Sequence, residues 1–358
     1  MPFLPPEALA SSDAIVAAAD EAVRLARRGD ARSGLVLAHQ ARTRARDLEI
    51  ASGELEALNA AAIVHLMRRD VVSAVAASLD ACHLGRQRGD RSLLAHARVT
   101  LAIAAFELEA CDSPLAVLRE CAQQARWIGD ACLQARARTA LGVVLGDLAR
   151  FDDAGLELAR ALLLARTCDC VTTPARVTAN LANLHRKRAR AFLDAGDAAR
   201  AREACGDARE TALRAASLAR ENDEITSRID ALGIAGAAAA LAGDAASARE
   251  DLAASIALGR AGRTSGAITW VLCELGRLEI DGGDFPAARE TFLHALDLAS
   301  EMRPSRKVAA ACRGLADVAH AAGDQVGERH WRERERAEAH EFERLRDQTR
   351  AQLRGLAA

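Results

Sequence analysis

The groups best suited to bind something in this 358-residue sequence are guanidinium groups. Lys occurs only at Lys187 and Lys307, so nearly all of the 48 basic residues are Arg. An arginine fork can donate two parallel hydrogen bonds to a carboxylate or a phosphate. Arg98, Arg136, Asn183, Arg186, Arg190, Arg277 and Arg313 fall on helical segments at positions that can face a common groove. The densest basic run, "HRKRAR" from His185 to Arg190, overlaps this set. Ordinary solvated charge is the plainer account of these residues; binding an acidic segment of a protein or peptide is the sharper one. A net charge of −2 and an aromatic content of 3% argue against nucleic acid, which wants a wide basic face with stacking side chains, and against a charged membrane surface.

Other chemistry is scarce. Cys168 and Cys170 in "TCDC" are one residue apart, closer than the usual zinc-ligand spacing, and no His lies nearby in sequence. They read as two thiols at a turn, and Cys273 and Cys312 as small core residues. His39, His65, His83, His96, His185 and His294 sit on helical segments with no neighbouring nucleophile motif. There is no glycine-rich phosphate loop and no His-Glu-x-x-His. The expectation is a non-enzyme with no cofactor and no metal. A buried polar cluster with shifted pKa values, assembled from distant segments, would reopen the enzyme reading.

The elements that position these groups follow from composition and period. Half the residues are apolar, with Ala and Leu dominant and Tyr absent, which favours closely packed helices over strands. A turn position recurs at Gly29, Arg69, Cys111, Ala149, Gly196, Gly243, Gly283 and Gly323, every 38–47 residues. Asp follows it in seven of the eight units, Arg150 being the exception. Five residues after the turn stands a small residue: Gly34, Ala74, Ala116, Ala154, Ala201, Ala248 and Ala288, with Glu328 in the eighth unit. Gly can close a helix at positive φ, and Asp can cap the next one. The small residue, one turn on, lets two helices cross closely. Second breaks fall between units at "RGD" (88–90), "IGD" (128–130), "CDC" (168–170), "ENDE" (221–224), "AGR" (261–263) and "RPS" (303–305). The reading is about eight antiparallel helix pairs stacked as an all-α solenoid. In the fifth unit both helices are extended by a turn or two.

These residues resemble the tetratricopeptide repeat. The seventh unit carries Leu275-Gly276, Gly283, Phe285, Ala288, Phe292 and Ala295-Leu296; the fourth carries Leu141-Gly142, Phe151, Ala154, Leu158 and Ala161-Leu162. The sixth keeps Gly236, Gly243 and Ala248. The resemblance covers about residues 12–330, with a period longer than the usual ~34 residues. It is similar to the long-helix variety found in regulatory regions of bacterial signalling proteins. The resemblance implies a right-handed superhelix whose first helices line a concave groove.

The division expected is a disordered segment at 1–11, the repeat array at 12–327 and a charged helix at 328–358. That helix has a thin apolar seam of Phe342, Leu345, Thr349, Leu353 and Leu356, suited to capping the array or to pairing with a partner or its own copy. No signal peptide or membrane span is evident, and nine scattered cysteines suit the cytoplasm. The functional expectation is a protein- or peptide-binding scaffold, as a bacterial regulator or adaptor. The alternative is a small-ligand sensor signalling through its C-terminal helix.

Overall fold

The computed structural model describes residues 5–110, 114–168, 173–261, 265–300 and 306–357. A 3-10 turn over Pro6–Leu9, with Leu9 buried, leads into sixteen α-helices, and no strand occurs among the described residues. The helices are α1 (Ser12–Arg27), α2 (Ala31–Asp47), α3 (Ala51–Met67), α4 (Val71–Arg88), α5 (Arg91–Glu107), α6 (Pro114–Ile128), α7 (Ala131–Asp147) and α8 (Phe151–Ala165). They continue as α9 (Pro174–Asp194), α10 (Ala198–Glu221), α11 (Ile225–Leu241), α12 (Ala245–Ala261), α13 (Ser265–Asp281), α14 (Phe285–Ser300), α15 (Arg306–Ala321) and α16 (Gln325–Ala357). Consecutive helices pack together, and each odd-numbered helix also packs on the next odd-numbered one. The odd helices therefore form a tight inner layer and the even helices a looser outer one, which gives the array its curvature. Inner helices such as α3 and α11 are buried on nearly all sides, and their many Ala residues permit that spacing.

The turns explain the repeat. Gly29, Arg69, Ala149, Gly196, Gly243, Gly283 and Gly323 all take positive φ. Asp30, Asp70, Asp197, Asp244, Asp284 and Asp324 then each accept a hydrogen bond from the backbone N–H three residues on. Such a cap contributes about 1 kcal/mol. Asp90 and Asp130 cap the inner helices α5 and α7 in the same way. The small residues sit where the two helices of a pair cross: Ala74, Ala154, Ala248 and Ala288 are fully buried, and a Cβ on Gly34 would stand 2.5 Å from the Ala22 carbonyl oxygen. Across the same crossing, Gly142, Gly236 and Gly276 make room for Leu158, Leu252 and Phe292.

The third unit departs from the expected register. Its left-handed residue is Glu109, not Cys111; Cys111 and Asp112 lie outside the described residues. Ala116 is consequently exposed, and α6 buries Leu118, Cys121, Ala122 and Ala125 instead. The left-handed residue comes two positions early and α6 begins at Pro114, so the buried face of this helix starts at Leu118. A break at Glu49, also at positive φ, separates the first two units without any Gly to announce it. The breaks expected at 169–170, 262–263 and 303–305 fall outside the described residues. In the fifth unit α9 and α10 are 21 and 24 residues long, as the sequence suggests.

The array curls until its first three units, at one end, meet the fifth, sixth and eighth. The carboxyl-terminal ends of α1 and α5 approach the amino-terminal ends of α11 and α15, where the helix partial charges are of opposite sign. The Thr226 hydroxyl, at the start of α11, donates to the Arg27 carbonyl at the end of α1 (3.2 Å). Arg28 pairs with Asp223 (3.7 Å), and Arg306 with Glu109. α16 continues the eighth pair without a break and returns to the second and third units. There Phe342 is buried with Leu55, Leu58, Val75, Leu101 and Leu108, and Arg350 donates to the Glu109 carbonyl (2.9 Å). Thr349 is buried and Leu353 half-buried, so much of the apolar seam is covered from within the chain.

Candidate functional site

The inner layer presents its polar groups in two zones. In the first, Glu56, His96 and Arg136 occupy corresponding positions on α3, α5 and α7. Arg136 is only 6% exposed, and donates to His96 Nδ1 (3.2 Å) and to the Thr100 hydroxyl (2.5 Å). That makes Nδ1 an acceptor and leaves His96 Nε2–H to donate to Asp130 (2.8 Å). The hydrogen bond from His96 holds the Asp130 carboxyl below its usual range, while burial pushes the Glu56 carboxyl up. This network is closed: its arginine is spent on holding two inner helices together.

The second zone lies on α9 and α13. Arg186 Nε and Nη2 both donate to the Asn183 side-chain oxygen (3.0 and 2.8 Å), which aims the guanidinium without neutralising it. Burial disfavours the Arg186 charge; Glu274 opposes that effect, and Arg190 and Arg277 add to it. Arg277 donates to Glu274 on its own helix (2.8 Å). No carboxylate is bonded to Arg186 or Arg190 among the described residues. Of the seven residues singled out in the sequence, the structure therefore gathers Asn183, Arg186, Arg190 and Arg277.

The other three are placed elsewhere. Arg98 makes a bidentate pair with Glu120 on α6 (2.8 Å each) and lies near Cys82 and Cys121, toward the outer layer and not the groove. Arg136 belongs to the closed network. Arg313 pairs with Glu335 on α16 (2.7 Å). A helical repeat exposes different sides of neighbouring residues, and a two-residue difference in position exchanges groove for outer layer.

Sequence reasoning missed a third group, where the ends of the array meet. Arg69 reaches Asp230 on α11 (3.4 Å) and Glu107 on α5 (3.6 Å). Trp270 Nε1 also donates to Asp230 (3.3 Å). Arg27, Arg176, Glu224 and Lys307 complete the group. One signal was available: Arg69 stands at a turn position that needs positive φ, where Gly is cheaper by ~1 kcal/mol or more. Three of the five non-glycine residues at positive φ among the described residues, Arg69, Glu109 and Asp223, carry contacts that join the early units to the late ones.

On the outer layer, a concavity of about 540 Å³ between α12, α13 and α14 is lined by Ile256, Leu272, Leu275, Arg260, Glu290 and His294. Cys168 donates to the Leu164 carbonyl (3.2 Å), and Cys170 lies outside the described residues. Among the described residues, no group of three or more potential ligands could hold a metal ion, and no helix is long and apolar enough to cross a membrane.

No protein-family model and no curated protein sequence matches the chain. Solved structures do. A Rap protein complexed with Competence and Sporulation Factor superposes with a TM-score of 0.55 at 12% identity, over 94% of this chain and 100% of that one. Aspartyl phosphate phosphatase F from Bacillus subtilis (TM-score 0.46, 12% identity, 97% and 96% covered) and the apo form of RapI (0.44, 10%, 92% and 98%) also match. At 12% identity the first of these shows a shared fold and nothing more. Inner and outer helix layers, glycine turns and aspartate caps together make this chain a tetratricopeptide-like helical-repeat superhelix.

Proposed function

We propose that the inner face of α9 and α13 binds an acidic segment of a peptide or protein, and that the chain serves as a bacterial regulatory or adaptor scaffold in the cytoplasm. The observation that carries this reading is Arg186, held by Asn183, crowded by Arg190 and Arg277, and bonded to no carboxylate. A site whose cations repel one another gains by accepting an anion, and its fork is already aimed. The Rap structure of similar fold, complexed with Competence and Sporulation Factor, is in keeping with a superhelix of this kind holding a bound factor.

Fluorescence anisotropy with a fluorescein-labelled Glu-rich decapeptide and its Gln-rich counterpart tests the reading. The Glu-rich peptide binds more tightly at low salt, and Arg186→Ala/Arg190→Ala/Arg277→Ala weakens it about tenfold with helicity intact, as expected for three partly screened charge pairs. Equal affinity of both peptides for the wild type, or of the Glu-rich peptide for both proteins, refutes it. One observation favours the second reading, a small-ligand sensor: α16 returns to the second and third units, so a ligand between the ends would act on that helix directly.

A further inference from the structure

The meeting point of the two ends holds more cation than its carboxylates use. Glu224, at the start of α11, is buried and accepts from the Thr173 and Ser227 hydroxyls (2.8 Å each). Asp230 and Glu107 share Arg69, and Asp230 also takes the Trp270 N–H. Lys307 donates to the Gly266 carbonyl (2.7 Å), and burial, with Arg69 beside it, pushes its ammonium down to about 7.

Arg27 and Arg176 are left. Among the described residues, no ion pair or side-chain hydrogen bond is made by either guanidinium. Arg27 Nε is buried with no acceptor among the described residues, so its donor is desolvated and unpaired. Both lie beside the start of α11, where Thr226 donates to the Arg27 carbonyl and Thr173, three residues before Arg176, donates to Glu224; burial disfavours the Arg176 charge, Asp230 and Glu224 favour it, and Arg69 and Arg27 act against it. The place is nevertheless reached by solvent, since Arg69 and Glu107 remain 33% exposed and Asp230 28%.

We propose that Arg27 and Arg176, with Arg69 behind them, form a site for one oxyanion, the carboxylate or phosphoryl group of a small ligand lodged between the two ends of the superhelix. Such a group supplies the acceptors that both forks lack and relieves the repulsion among three arginines. It touches α1 and α9 at once, so its binding ties the first unit to the fifth. This site is separate from the α9–α13 groove and stands or falls independently of it.

The test uses the full chain at low ionic strength, with inorganic phosphate, trialanine and trialanine amide as probes in thermal-shift and calorimetric titrations. Phosphate or trialanine raises the wild-type Tm, and the amide does not. A response to phosphate alone assigns a phosphoryl ligand; a response to trialanine alone assigns a carboxylate. Arg27→Gln/Arg176→Gln is at least as stable as wild type without probe and loses about tenfold or more in affinity. Arg160→Gln, an exposed residue of the outer helix α8 paired with Glu157, leaves the affinity unchanged. The proposal is overturned if no probe stabilises the wild type more than the double variant. Should the double variant not fold, Arg27→Lys and Arg176→Lys, which keep the charge but lose the fork, must each weaken the response; unchanged responses overturn it equally.

Discussion

Arg136 on α7 and Arg186 on α9 sit on neighbouring inner helices and have opposite fates. Arg136 meets His96 and Thr100 on the preceding inner helix, and its bonds are closed. Arg186 bonds Asn183, one turn back on its own helix, with Arg190 a turn further on, Arg277 across the groove on α13 and Glu274 as a nearby counter-charge. The first half of the inner face has spent its polar groups on helix–helix contacts. The second half leaves donors facing the groove. Charge alone does not mark a binding surface; a charge whose partners are missing does.

The largest expected effect breaks the closed side. Arg136→Ala leaves His96 and Thr100 without their donor and should cost ~3 kcal/mol, read from urea unfolding followed by circular dichroism. Arg186→Ala, measured alongside, should change stability by no more than about 0.5 kcal/mol. Equal losses would erase the distinction between the two zones.

A second pair of variants compares the units themselves. Ala288→Leu should strain the buried crossing of the seventh pair by about 1–3 kcal/mol, whereas Ala116→Leu, exposed in the shifted third unit, should cost almost nothing. A loss at Ala116 would mean that the third unit keeps the common register after all.

Gly283 supplies a third comparison. Its φ of +77° has open space around it, so Gly283→Val tests backbone strain without a clash. The expected loss is roughly 1–2 kcal/mol, seen as a lowered thermal midpoint. Ala149, at a φ of 57° in the equivalent turn, should gain about 1 kcal/mol on changing to Gly. The mildest loss of an ion pair belongs to Arg98→Ala. Its partner Glu120 is 60% exposed, so loss of the pair should cost under about 1 kcal/mol and fade with salt.

Much of the architecture was legible because it is written in short-range chemistry. An αL residue, an Asp and a small residue within six positions act on each other through hydrogen bonds and contacts that their spacing already implies. Hence Asp30, Asp70, Asp197 and Asp284 cap as expected. The third unit misled for the same reason: Glu109 adopts positive φ without the Gly that would have flagged it. The candidate site was legible in half. Asn183, Arg186, Arg190 and Arg277 share the groove, but Arg98 turns outward toward Glu120, because assigning a residue to a helix does not settle which layer its side chain meets.

By itself the sequence determined the helices, their pairing and their stacking order. Only the tertiary structure decided that Arg27 and Arg176 both come beside the start of α11, that Arg69 bridges Glu107 and Asp230, and that Phe342 and Leu353 of the α16 seam join the core of the second and third units. Those contacts depend on a small rotation from each unit to the next, summed over the whole array. No local pattern encodes that sum, and a slight change in each crossing would carry the two ends past one another.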